Sequence, residues 1–186
     1  MAATPVSAKA LTLGHGPALL EVFLEPTCPF SVRAFNKLEG LVSLVGEDQL
    51  TVKIYLQSQP WHMFSGVIVR AILAASTLPE GNTAALKILK AVGDHREEFE
   101  FTDHCRGPNM DATPHQILER LEKYSGISVS EPFDHPELQQ LIKWHCKYSR
   151  QNGIHVSPTF MINGLIQADM GSGEEISQWA ERIRKG

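Results

Sequence analysis

The chain has 186 residues, of which 42% are hydrophobic and 20% charged, and its net charge is −4. That length accommodates one domain with a sizeable core and room for an inserted subdomain. The composition excludes a disordered chain and offers no polyanion-binding surface, so nucleic acid is not an expected partner.

The first residues, MAATPVSAKALTLG, hold no basic start followed by an apolar run, and no apolar stretch is long enough to span a bilayer. A chain of this kind is expected to be cytoplasmic, with no membrane partner. Ala10 to Leu13 reads as a short edge strand, and Gly14-His15-Gly16-Pro17 turns the chain into an apolar strand from Leu19 to Leu24. After a turn carrying Cys28, a helix starts near Pro29. Its residues Val32, Phe35, Leu38, Leu41 and Val42 recur at helical spacing. Gly46-Glu47-Asp48 ends it, and Leu50 to Leu56 alternates as a second strand. Strand, helix and strand of these lengths make a right-handed βαβ unit with parallel strands.

A helical pattern then runs from Met63 to about Leu78, and another from Thr83 to about Val92. His95 to Asp111 is polar and rich in breakers, and reads as irregular or partly helical. Thr113 with Gln116 has the spacing of a reciprocal helix cap, opening a helix that Gly126 stops. Asp134-His135-Pro136-Glu137 makes the same kind of start for a longer helix, which buries Leu138, Leu141, Ile142 and His145 or Tyr148 and ends at Gly153. Ile154 to Ser157 and Thr159 to Ile162 are β-like runs, and Asn163-Gly164 suits a tight hairpin into Leu165-Ile166. Ser172 with Glu175 reads as another capping box, opening a last helix with Ile176, Trp179, Ala180 and Ile183 inward.

This order predicts an α/β protein with a thioredoxin-like core at about 10–62 and 153–186, and a helical insertion at about 63–152 of a single domain, 1–186. The late hairpin's first strand is expected to lie against the opening βαβ unit.

Cys28 stands at a strand-to-helix junction, where the unpaired N–H groups of a first turn and the aligned peptide dipoles favour thiolate over thiol. Pro29 at the first helical position loses no hydrogen bond, because its N–H would have had no intrahelical partner. Cys28 is therefore a candidate nucleophile, with the hydroxyl of Ser31 in the place of a second thiol. The alternatives are a buried, inert cysteine at 28 and an ordinary helix-start serine at 31. Three cysteines are too few for a disulfide framework, so free thiols are expected in a reducing compartment. Cys105 and Cys146 each follow a histidine, His104 and His145. Helical neighbours point about 100° apart, which disfavours a shared metal, and no metal site is expected. Cys146 reads as a packed small residue and Cys105 as a loop thiol, either one also a distant resolving cysteine for Cys28. His62 is either a cation beside Cys28 or a surface or capping histidine, and Trp61 and Phe30 are either groove walls or core.

Leu11-Thr12-Leu13-Gly14 before the strand Glu21-Val22-Phe23, Thr27-Cys28-Pro29-Phe30 after it, Gln59-Pro60-Trp61-His62-Met63, and Val156-Ser157-Pro158-Thr159-Phe160 occur in that order. Together they resemble the DsbA-like branch of the thioredoxin superfamily, a family of thiol–disulfide oxidoreductases, over nearly the whole chain. The resemblance implies that Pro158 is the family's cis-proline beside the active-site turn, leaving the backbone of Ser157 free to pair with an extended substrate next to Cys28. It implies catalysis by Cys28 and Ser31, and substrate contacts from Pro29, Phe30, Ser157 and Pro158. Two departures stand out. The family's C-x-x-C is here Cys-Pro-Phe-Ser, and the acid that many relatives keep six positions before the nucleophile is Val22; acid and second thiol are expected to be lost together.

A single thiol at Cys28 forms a mixed disulfide with a protein or small-molecule disulfide, and its release then needs an outside thiol such as glutathione, or a thiol of the substrate. The expected activity is that of a monothiol oxidoreductase or isomerase requiring no cofactor beyond glutathione as a possible co-substrate. Two alternatives stay open. Kappa-class glutathione transferases share a thioredoxin core with a helical insertion, and a non-catalytic module would use the proline groove to hold peptides.

Overall fold

Alternation along the central strands decides which side chains meet. Leu20, Val22 and Leu24 point to one face with Val52, Ile54 and Leu56, all fully buried, while Phe23 and Tyr55 point to the other. The computed structural model describes residues 10–101 and 106–186. It contains β1 (Leu11–Gly14), β2 (Ala18–Leu24), α1 (Pro29–Val45), β3 (Leu50–Leu56), α2 (Ser65–Ala75), α3 (Asn82–Asp94), α4 (Pro114–Ser125), α5 (Ser130–Phe133), α6 (Leu138–Gln151), β4 (Thr159–Ile162), β5 (Leu165–Ile166) and α7 (Ile176–Lys185). One turn of 3-10 helix, Arg96–Glu98, follows α3. Among these helices none is long and apolar enough to cross a membrane.

The five strands lie in the order β1-β3-β2-β4-β5. β2 runs parallel to β3, with Leu20 opposite Val52 and Leu24 opposite Leu56, and α1 makes the crossover. β4 pairs antiparallel with β2, as expected of the hairpin, and β5 returns beside it. Asn163 and Gly164 take positive φ values of 48° and 83°, the conformation that a two-residue turn demands. β1 closes the other edge, antiparallel to β3. Helices α1 and α7 cover the face of Leu20 and Val22 with the main core. α6 covers the opposite face, where Trp144 and Tyr148 pack on Phe23, Tyr55 and Met161. α2 to α5 lie between β3 and α6 in sequence; α3 packs against β1 and α1, and α2 against α6.

Thr113 caps α4 as expected, its hydroxyl accepting the Gln116 N–H and the Gln116 side chain accepting the Thr113 N–H at 2.8 Å. Other boundaries differ from expectation. The long helix starts at Leu138 with no side-chain cap, because Asp134 instead ends the short α5 and its N–H goes to the Glu131 carbonyl. Ile154–Ser157 is not a strand: the Ile154 N–H turns back to the Ser149 carbonyl at 2.9 Å, and among the described residues no neighbouring strand faces the run. The last helix is capped by Glu175 with Gln178, one turn later than the Ser172 box. Lys37 holds the Ser172 carbonyl at 2.8 Å, and Glu174 takes the Gly171 N–H, so Ser172 belongs to the approach loop.

Candidate active site at the mouth of the first helix

β2 delivers its chain to the sheet's carboxyl end, and Glu25-Pro26-Thr27 carries it to Cys28. Cys28 is the N-cap of α1, extended at φ −66° and ψ 124°, with Pro29 as the first helical residue. Its N–H goes to the Glu25 carbonyl at 3.2 Å and its carbonyl accepts the Val32 N–H at 2.9 Å, so the turn is held from both sides. The residue is 5% exposed, and its sulfur lies 3.7 Å from the carbonyl oxygen of Ser157.

Ser157 arrives from the far end of the sequence. The Ser157–Pro158 peptide bond is cis, and the Ser157 hydroxyl donates to Oε1 of Gln59 at 3.2 Å, tying this loop to the one after β3. Among the described residues no acceptor takes the Ser157 N–H. Phe30, Trp61, Met63 and Val156, each adjacent in sequence to a residue of this site, are all more than half exposed. Phe30 and Trp61 are thus surface side chains and not core, and Arg33 lies over the Phe30 ring at 6.0 Å.

Ser31 occupies the second-thiol position on the first turn of α1. It is buried, and its oxygen accepts the Glu25 N–H at 3.3 Å; no hydrogen bond joins it to Cys28. The hydroxyl thus closes the turn between β2 and α1.

Below Cys28 lies a polar cluster that the linear pattern did not announce. Val22 is fully buried and apolar, yet an acid is present at this turn, three residues before the cysteine and not six. Glu25 is fully buried, and Oε2 accepts the Thr27 N–H at 3.0 Å and the Thr27 hydroxyl at 2.9 Å, while among the described residues no hydrogen-bond donor meets Oε1. Burial pushes the Glu25 carboxyl above its ordinary range, opposed by the hydroxyls of Ser65 and Thr27 and the N–H groups of Cys28 and Thr27. Turns from Gln59 to His62 and from His62 to Ser65 swing His62 inward. Its Nδ1 lies 2.9 Å from the Thr27 hydroxyl, 3.6 Å from Glu25 and 3.0 Å from Glu100, which also pairs with Arg96. His62 is therefore not a surface histidine. The overlooked sign was Glu25-Pro26 itself, an acid directly after the apolar run Val22-Phe23-Leu24, where burial is hard to avoid.

A second acid is buried on the α6 side. Glu21 Oε1 accepts the hydroxyls of Tyr55 at 3.0 Å and Tyr148 at 2.7 Å. Burial, then the Glu21 carboxylate, raises both phenols, Tyr148 to about 12. His145 of α6 is fully buried, and Nδ1 accepts the Leu56 N–H at 3.0 Å; burial holds its pKa down at about 4. Cys146, its neighbour, is half-buried and free, and His104 and Cys105 lie outside the described residues.

A parallel βαβ unit joined to an antiparallel hairpin, with helices inserted between the two, is a thioredoxin-like fold with a helical insertion. No family model and no curated protein sequence matches the chain. Solved structures do. A candidate protein-disulfide isomerase from Pseudomonas syringae is 63% identical, with 94% of this chain and 97% of that one covered and a TM-score of 0.92. DsbA from Chlamydia trachomatis shares 17% identity over 98% of this chain and 95% of its own, with a TM-score of 0.67. A thioredoxin-like oxidoreductase from Silicibacter pomeroyi shares 20% over 95% and 93%, with a TM-score of 0.65; these last two share the fold. The chain belongs to the DsbA-like family of thioredoxin-fold disulfide oxidoreductases and isomerases.

Proposed function

We propose that this protein is a thiol–disulfide oxidoreductase or isomerase that works through Cys28 alone. The single observation that carries the reading is the sulfur of Cys28 at the mouth of α1, facing the main chain of Ser157. An extended polypeptide laid along that loop would find the unused Ser157 N–H as a hydrogen-bond donor. Phe30, Trp61, Met63 and Val156 would cover its apolar side chains. Its disulfide would then meet the sulfur. The Cys28 thiolate bonds to one sulfur of the substrate, and the electron pair of the broken S–S bond leaves on the other. With serine at 31, the mixed disulfide waits for an outside thiol, glutathione or a thiol of the substrate.

The test is to incubate the reduced protein with a scrambled, disulfide-containing polypeptide and resolve the products without reductant. Covalent adducts should accumulate, should dissolve on adding glutathione, and should be missing for Cys28→Ser. Adducts that survive the Cys28→Ser substitution, or none with the native protein, would remove the proposal.

A further inference from the structure

Gln59 ties the loop after β3 to the loop that faces Cys28, and only half of its amide is used in doing so. Its N–H donates to the Ser65 hydroxyl at 3.4 Å and its carbonyl accepts the His62 N–H at 3.0 Å, so its main chain is held on both sides. Its Oε1 accepts the Ser157 hydroxyl at 3.2 Å, and the carbonyl of that same Ser157 lies 3.7 Å from the Cys28 sulfur. A carboxamide is planar, so holding its oxygen largely sets the direction of its nitrogen. Among the described residues no acceptor meets Nε2 of Gln59, and although the residue is only 7% exposed, that nitrogen is not sealed from solvent. Nε2 of Gln57, two positions back, is sealed. The two glutamines thus differ in kind: one nitrogen is enclosed, and the other stays open beside Ser157, whose own N–H is unused.

Resting on the thiol-exchange reading above, we propose that Gln59 is a substrate-binding residue whose amide nitrogen donates a hydrogen bond to a main-chain carbonyl of the polypeptide carrying the disulfide. The Ser157 N–H and Gln59 Nε2 are then two donors near one sulfur, and an extended chain offers carbonyls at regular spacing to meet them. A carboxamide is uncharged, which suits a neutral carbonyl. Every residue of a polypeptide carries that carbonyl, so the contact adds affinity without reading side chains. Ser157 already holds the amide in place, so little freedom is lost when the substrate binds. The bond from the Ser157 hydroxyl to Oε1 also polarises the amide and strengthens its N–H as a donor. Gln59 takes no part in the exchange of sulfurs. Its effect is to favour chains over small disulfides at the same cysteine.

Two disulfides with one leaving group separate a donor to substrate from a mere tie between loops. One is a short peptide of glycine, serine and alanine with a central cysteine, and the other is ethanethiol, each as its mixed disulfide with thionitrobenzoate. The Cys28 thiolate bonds to the peptide or alkyl sulfur, the S–S bond breaks, and its electron pair leaves on the coloured thionitrobenzoate. Single-turnover traces with the full-length protein then give a second-order rate constant for each. Gln59→Glu keeps an acceptor for the Ser157 hydroxyl and loses the donor, and Gln59→Met loses both. In both variants the preference for the peptide over the alkyl disulfide should fall about three- to tenfold, the size of one hydrogen bond. A tie between loops predicts instead that Gln59→Glu keeps the native preference and that Gln59→Met slows both disulfides alike. In the native protein, the Cys28–peptide adduct should shift the side-chain amide proton resonances of Gln59 and slow their exchange with water, and the alkyl adduct should not. That measurement reads the same bond if a variant fails to fold. An unchanged preference in Gln59→Glu, or amide protons that respond alike to both adducts, would overturn the proposal. A native protein that frees no more thionitrobenzoate than Cys28→Ser from either disulfide would instead overturn the thiol-exchange reading beneath it.

Discussion

The sulfur of Cys28 and the carbonyl oxygen of Ser157 stand 3.7 Å apart, although 129 positions separate the residues in the chain. The approach exists because β4 pairs with β2, so the loop entering β4 and the turn leaving β2 emerge at the same edge of the sheet. Phe23 opposite Thr159 is the last rung before the two diverge.

A second thiol at position 31 would change the outcome of exchange. Ser31 lies three residues after Cys28 on the first turn of α1, within reach of an internal disulfide. Ser31→Cys should shorten the lifetime of trapped adducts and yield an internally oxidised monomer, read by mass and by thiol count. Its weaker acceptor toward the Glu25 N–H should cost about 1 kcal/mol of stability. Adducts as persistent as those of the native protein would contradict this geometry.

His145 should make the fold sensitive to mild acid. Its folded pKa of about 4 lies below the ordinary 6.5, so the unfolded chain binds the extra proton across that interval. Stability is then full above 6.5 and declines as pH falls toward 4, by at most roughly 3 kcal/mol. Urea unfolding at a series of pH values should show the slope. His145→Leu should flatten it while lowering stability at neutral pH by about 1–3 kcal/mol, since the Leu56 N–H loses its acceptor.

Glu122 is the pin between α4 and α5. Partial burial works against its charge, but the N–H groups of Val129 and Ser130 and the hydroxyls of Ser130 and Ser128 outweigh it and hold the carboxyl below its ordinary range. Its stabilising contribution is therefore present above the unfolded value near 4.5 and lost as pH falls through the lower folded one. Glu122→Ala should cost about 1–3 kcal/mol in denaturant unfolding at neutral pH. It should also raise amide exchange at Val129 and Ser130.

The aromatic face under α6 depends on the Glu21 bonds. Tyr55→Phe and Tyr148→Phe each remove one donor from the same buried oxygen and should each destabilise by about 1–3 kcal/mol. Because they share Glu21, their sum should differ from the double variant by more than about half a kcal/mol. Trp144, stacked on Tyr148 at 5.6 Å, reports the change by fluorescence.

Local rules account for what was legible in one dimension. Periodicity in Leu38, Leu41 and Val42 placed α1; the Thr113–Gln116 cap and the Asn163-Gly164 turn depend on residues within a few positions of each other, and each stands where its chemistry requires. The family likeness, too, is carried by short motifs in the right order. Packing between distant segments decided the rest. Whether Glu25 is solvated or sealed depends on α2 and on His62 closing over it, and whether Ser31 faces the sulfur or the Glu25 N–H depends on how the turn is held. The strand expected at Ile154–Ser157 failed because a strand needs a neighbour, which no run of β-forming residues can supply for itself. The amino-acid order determines which groups are available and how each short stretch bends. The environment that sets their protonation and partners is built by residues tens of positions away, and only the folded chain brings those within bonding distance.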